Sequence, residues 1–263
     1  MSHVVNGLQP LGESGHEGRG VAQKALDLLT ELARADEPLR LADLAQQTSL
    51  PKPTAYRMLA TLCRSGFAAS SPGGRYYAGP KLLGIAASAL SRRPERTFVH
   101  ESLLELQRET GHAAFFAVRH AKQAVYIDKV EAAQAYRIAI EVGHEVPLAL
   151  TAIGRAMLIG VPHQEAASML KDYYDDLDDA EEELRRSRVR GFAIEDEDYE
   201  TNIRAVAAPV YGYSGDIIGA IGLAGLTFTL SEETLDVFGP LTINAAARVS
   251  EAMLGSGSAA AHG

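Results

Sequence analysis

The chain has 263 residues, 46% of them apolar and 22% charged. That balance excludes a low-complexity or fibrous chain and leaves enough length for about two domains with cores of their own. A single cysteine, Cys63, rules out an intramolecular disulfide framework. The net charge of −9 is unevenly spread: residues 44–94 contain no Asp or Glu but hold Lys52, Arg57, Arg64, Arg75, Lys81, Arg92 and Arg93, so this window carries +7 and the remainder −16. A segment that neutralises phosphates must be locally basic, while an acidic remainder keeps the rest of the molecule off a polyanion.

Residues 1–20 are polar and glycine-rich and are expected to be disordered. They lack the apolar core of a secretory leader, and no apolar run reaches ~20 residues, so the expected location is the cytoplasm, without membrane contact. Residues 21–35 put Ala25, Leu28, Leu29 and Leu32 on one side of a helix that must end before Pro38. A second helix over 41–48 buries Leu41, Leu44 and Ala45. The short link Thr48, Ser49, Leu50, Pro51 then leads into a third helix over 52–64, with Pro53 in its first turn.

In that third helix Ala55, Met58, Leu59 and Leu62 form the buried stripe, so Arg57, Ala60 and Arg64 face outward, flanked by Thr54, Tyr56 and Thr61. Arginine can bind a guanine edge bidentately, and hydroxyls and Lys52 can hold phosphates. Gly66 reads as the helix C-cap. Two short strands, 67–70 and 75–78, flank the turn Ser71, Pro72, Gly73, Gly74 and place Arg75 on the hairpin. Three helices and a hairpin make a winged helix-turn-helix.

Residues 80–91 read as a linker helix and 91–94 as a breaker. The expected organisation is a disordered segment 1–20, a winged helix-turn-helix 21–80, a linker 81–94, a second domain 95–254 and a disordered tail 255–263. In the second domain the spacing predicts a helix over 96–110, strands over 113–119, 124–131 and 135–142, and helices over 151–158, 163–170 and 180–190. Strands over 203–211 and 217–226 follow, then a final helix capped by Ser231. The fold class is α+β, with an antiparallel sheet and helices.

Catalytic and metal-binding patterns are sparse. Cys63 lies in the third helix, and His112, His120, His144 and His163 have neither HExxH nor Cys-His spacing. The acidic run 172–183 lacks the glycine turn and ligand spacing of a calcium loop. Gly219, Gly222 and Gly225 recur every third residue inside a strand, not as a dinucleotide fingerprint, and are expected where a backbone passes close to a ligand or another strand. No cofactor, no metal and no enzyme activity are expected. An enzyme, or a ligand-independent interaction module, in residues 95–254 stays the alternative.

The helix run LADLAQQTSLPKPTAYRMLATL, the wing and linker GRYYAGPKLLGIA, and the later segments VYIDKVE, VPLALTAIGRAML, RGFAIEDEDYETNIRAVAAPV and GAIGLAG together resemble the IclR (isocitrate lyase regulator) family of bacterial transcriptional regulators. The resemblance covers most of the chain. It implies a homodimer or homotetramer whose winged helices bind a double-stranded DNA operator, and a GAF-like second domain that binds a small-molecule effector.

Carried over position by position, the resemblance places an effector site at Ile138, Val146, Ala152, Ile153, Gly154, Glu195, Ile203, Ala205, Gly222 and Ala224. This chain departs from the family there, with Ala205 where the family commonly has Cys, Gly222 and Ala224 where it often has a Ser-x-Ser pair, and Ala149 in place of a common His. These changes predict a wider, more apolar cavity and hence a hydrophobic or aromatic carboxylic acid. Its carboxylate is expected at the N–H groups of residues 152–154, with Glu195 accepting a hydroxyl or amine. The effector would act by shifting the balance between two arrangements of the oligomer.

Overall fold

A computed structural model of the protein describes residues 20–91, 95–133, 138, 140–212 and 214–260. It comprises two compact units, one within residues 8–93 and one within 94–263. The expectation of disorder for residues 1–20 falls almost wholly outside the described residues, as do most of the 91–94 breaker and residues 261–263.

The first unit contains α1 (Val21–Arg34), β1 (Leu39–Arg40), α2 (Leu41–Gln47), α3 (Lys52–Arg64), β2 (Ala68–Ser70), β3 (Arg75–Ala78) and α4 (Pro80–Ser91). Its core is Leu28 and Leu32 of α1, Leu44 and Ala45 of α2, Leu50, and Ala55, Leu59 and Leu62 of α3, closed by Ala68. Each fully buried leucine contributes about 1.5–3 kcal/mol, so this stripe decides which face of α3 turns outward. The turn between α2 and α3 is held by Thr48 Oγ1 donating to the Leu44 carbonyl (2.6 Å) and by the Leu50 N–H on the Ala45 carbonyl (2.9 Å). Strand β3 lies between β1 and β2 in a three-stranded antiparallel sheet. Strand β1 has no sequence signature, because two residues carry no periodicity.

The second unit runs α5 (Glu95–Thr110), β4 (Ala113–His120), β5 (Gln123–Val130), β6 (Glu145–Pro147), α6 (Ala152–Leu158), α7 (His163–Leu170), α8 (Asp178–Arg190), β7 (Ala193–Asp196), β8 (Ile203–Tyr211), β9 (Ile217–Leu226) and α9 (Glu232–Ala260). One antiparallel sheet has the order β6-β5-β4-β9-β8-β7. Alternation along the strands divides its side chains between two cores. Phe116, Val206, Ala208, Ile221 and Leu223 pack with Leu103 and Leu106 of α5 and Leu235, Ala245 and Val249 of α9. Phe115, Tyr126, Ala205, Ala207 and Ala224 face the other way, toward Ala152, Ile153 and Met157 of α6.

Two expectations change, and one strand is added. The third strand is not 135–142: residues 138 and 140–142 are outside any strand, and the partner of β5 is β6. The residues that join β5 to β6 include Gly143 at φ 86 and His144, whose carbonyl accepts the Tyr126 N–H at 3.0 Å. Strand β7 pairs with β8 at the sheet edge, although four residues, AIED, show too little alternation to be read as a strand. Helix α9 extends through Ala260, so residues 255–260 are helical rather than a disordered tail. Extending an existing helix avoids the cost of a new nucleus.

Candidate functional site

The outward face of α3 carries the predicted groove-reading side chains. Lys52, Tyr56, Arg57, Thr61 and Arg64 are exposed and Thr54 is half-buried. The last turn is partly tied up by its own contacts: Arg64 Nη2 donates to Thr61 Oγ1 (3.0 Å), and Thr61 Oγ1 donates to the Arg57 carbonyl (3.1 Å). Arg75 stands apart from α3. It is half-buried on the wing, and its Nη1 donates to the Pro38 carbonyl at 3.1 Å, bracing the segment before β1. Gly66 takes φ 80 directly after α3, and the Phe67 N–H returns to the Leu62 carbonyl at 2.9 Å, which turns the chain into the wing.

On the α6 side of the second unit's sheet lies a cavity of about 240 Å³. It brings together Ile138, Val146, Ala152, Ile153, Glu195, Ile203, Ala205, Gly222 and Ala224. Gly154 does not line it: a Cβ there would stand 2.4 Å from Leu148 Cα, so this glycine lets α6 pack on the Leu148 backbone. Sequence reasoning missed Phe115, Tyr126, His144, Thr151, Tyr199 and Glu200, which complete much of the lining. Alternation within β5 puts Ala124 and Tyr126 on one side, a signal that could have identified the phenol. His144 carries no pattern in the sequence that ties it to a cavity.

The expected seat for a ligand carboxylate is already in use. The Ala152 N–H donates to Glu195 Oε2 at 3.2 Å, and the Gly154 N–H donates to Thr151 Oγ1 at 3.1 Å. Two of the three N–H groups assigned to a ligand are therefore already capped, by the side chains of Glu195 and Thr151. Burial pushes the Glu195 carboxyl from an ordinary 4.5 up to about 7, with Asp198 adding to the rise. The Ala152 N–H, the Arg155 guanidinium and the Tyr199 N–H oppose it. Burial also pushes the Tyr126 hydroxyl well above its usual range, so it stays a neutral hydrogen-bonding group.

Arg155, beside the cavity but not lining it, is buried. Its Nε donates to the Ala149 carbonyl (2.9 Å), Nη1 to the Ile194 carbonyl (3.0 Å) and Asp198 (2.7 Å), and Nη2 to the Tyr174 hydroxyl (2.6 Å). It thus locks α6 to β7, the strand that carries Glu195. Among the described residues no group of three or more His, Cys, Asp or Glu is placed to hold a metal, and no helix is long and apolar enough to cross a membrane.

A winged helix-turn-helix with an outward basic face, in one chain with a sheet domain that encloses a cavity, defines a DNA-binding regulator with its own effector domain. Residues 21–72 match the IclR helix-turn-helix domain, and residues 87–251 match the domain described as bacterial transcriptional regulator IclR C-terminal. The chain belongs to the IclR family of transcriptional regulators, and it is not an enzyme. It is 26% identical over 245 residues to the acetate operon repressor of Salmonella typhimurium, covering 89% of each chain. It is 30% identical over 211 residues to the glycerol operon regulatory protein of Streptomyces griseus, covering 77% of this chain and 83% of that one. Its fold is similar to the crystal structure of an IclR homolog complexed with 4-hydroxybenzoate from Microbacterium hydrocarbonoxydans. That likeness has a TM-score of 0.76 at 15% identity and covers 90% of this chain and all of the other.

Proposed function

We propose that this regulator binds a roughly palindromic operator as a homodimer or homotetramer in the cytoplasm, reading bases with Arg57 and holding phosphates with Lys52. Its effector is an aromatic or otherwise hydrophobic carboxylic acid. The observation that carries the effector reading is the 240 Å³ cavity, walled by Phe115, Ile138, Ile153, Ile203, Ala205 and Ala224. An apolar cavity of about 150 Å³ already accepts benzene, so there is room for one substituted ring. The 4-hydroxybenzoate held by the Microbacterium homolog is a ligand of this class.

Thr54, Tyr56, Thr61 and Arg64 add phosphate and sugar contacts along α3, and Arg75 does so from the wing. The effector alters operator affinity through its different affinity for two arrangements of the oligomer. Calorimetry on the full chain with a panel of small oxoacids and aromatic acids tests the effector class. Saturable binding of an aromatic acid, with altered operator affinity in its presence, is the expected result. Binding of glyoxylate or pyruvate with none of the aromatic acids refutes it.

A further inference from the structure

We infer that the cavity takes up one proton with its effector, shared between the ligand carboxylate and the carboxyl of Glu195; this rests on the carboxylic-acid reading above. The described lining contains no lysine or arginine. Its ionisable side chains are Glu195, Glu200, His144, Tyr126 and Tyr199. The guanidinium of Arg155 lies close by, but its donors are committed to Ala149, Ile194, Asp198 and Tyr174. A ligand carboxylate entering this space meets a buried carboxyl with no lysine or arginine among the described lining residues to offset it; the basic side chain there is the exposed His144.

The surroundings of Glu195 decide how that conflict resolves. Its Oε2 accepts the Ala152 N–H from α6. Asp198, Tyr199 and Glu200 come from the segment after β7, Tyr126 from β5 and His144 from the loop before β6, with Tyr174 behind Arg155. Asp196, the next residue on β7, is paired with Arg204 at 2.5 Å.

Two ionised carboxyls in a small, largely buried space repel, and each has lost much of its hydration. One proton between them removes one charge and leaves a charge-assisted O–H···O⁻ bond, among the stronger hydrogen bonds available to a protein. The proton comes from solvent and no covalent bond to carbon changes. Because burial already holds Glu195 near neutrality, the proton is present at mildly acid pH and must be gained from solvent at alkaline pH.

The test measures affinity of the full chain for 4-hydroxybenzoate and its neutral isostere 4-hydroxybenzamide between about pH 6 and pH 8.5, by calorimetry in buffers of different ionisation enthalpy. Affinity for the acid should fall about thirtyfold across that interval, approaching tenfold per pH unit at the alkaline end, with about one proton taken up per ligand there. The amide should bind with little pH dependence, which shows that the cavity persists at alkaline pH. Glu195→Gln should bind the acid with a flat pH profile. The wild-type profile and proton count stand even if that variant misfolds. Acid binding that is flat with pH in the wild type, without proton uptake, overturns the inference while leaving the effector class standing. Failure of a whole panel of aromatic acids to bind at pH 6, where their amides do bind, overturns the effector class and the inference with it.

Discussion

Arg57 and Glu195 have opposite surroundings. Arg57 is exposed on the outward face of α3, so its truncation removes little from the fold. Arg57→Ala is expected to cost about 1–3 kcal/mol of operator affinity and to relax selectivity at one base pair, read by electrophoretic or anisotropy titration against single-site operator variants. Unchanged affinity and selectivity would mean that another face of α3 meets the bases. Glu195 is buried, and its carboxyl titrates near 7 instead of 4.5. Between those values the folded protein holds a proton that the unfolded chain lacks, so stability falls as pH rises through this window, and the loss is complete above about 7. The contribution is about 3 kcal/mol. Urea unfolding of the ligand-free protein should show this decline from pH 5 to 8, and Glu195→Gln should flatten it.

At the scale of elements, α6 and β9 shape the cavity in different ways. Thr151 caps α6, accepting from the Gly154 N–H and donating to the Pro147 carbonyl at 3.0 Å. Thr151→Ala should therefore lower stability by about 1–2 kcal/mol and loosen one wall, seen as a lower melting temperature and weaker effector binding together. In β9, Gly222 and Ala224 both line the cavity but tolerate change differently. A Cβ on Gly222 would meet the Val206 carbonyl oxygen at 2.6 Å and Ala207 Cβ at 2.7 Å, so Gly222→Leu would push β8 and β9 apart before filling any space. Ala224→Leu enlarges a side chain that already borders the cavity. It should abolish aromatic-acid binding in calorimetry while operator binding of the ligand-free protein persists. If Ala224→Leu binds the acid with unchanged affinity, the ligand lies elsewhere.

For the molecule as a whole, the separation of charge and the small size of one reading head matter most. A single α3 reaches few base pairs, so useful selectivity calls for two copies on one site. Light scattering should give a mass well above the 28.1 kDa of one chain, and a monomer that holds one half-site tightly would defeat the proposal. Lys52→Ala should weaken specific and non-specific DNA alike and make the salt dependence shallower by about one unit. A loss confined to the specific operator would instead make Lys52 a base reader.

Local periodicity by itself determined most elements. The apolar stripe of α3, the helix α4, and the strands β8 and β9 are legible in the sequence because each pattern reports, within one segment, which face avoids water. The acid-free window 44–94 marked the basic unit in the same way, since charge is a sum over composition. The resemblance to a known family, not periodicity, assigned Glu195 and Ala224 to an expected effector site. Only the tertiary structure decided that Glu195 captures the Ala152 N–H across 43 positions of sequence, that Gly154 faces Leu148, and that Phe115, Tyr126 and Tyr199 close the cavity. Those facts depend on which strand lies beside which and in what register, and a segment's own pattern names the buried face without naming what covers it.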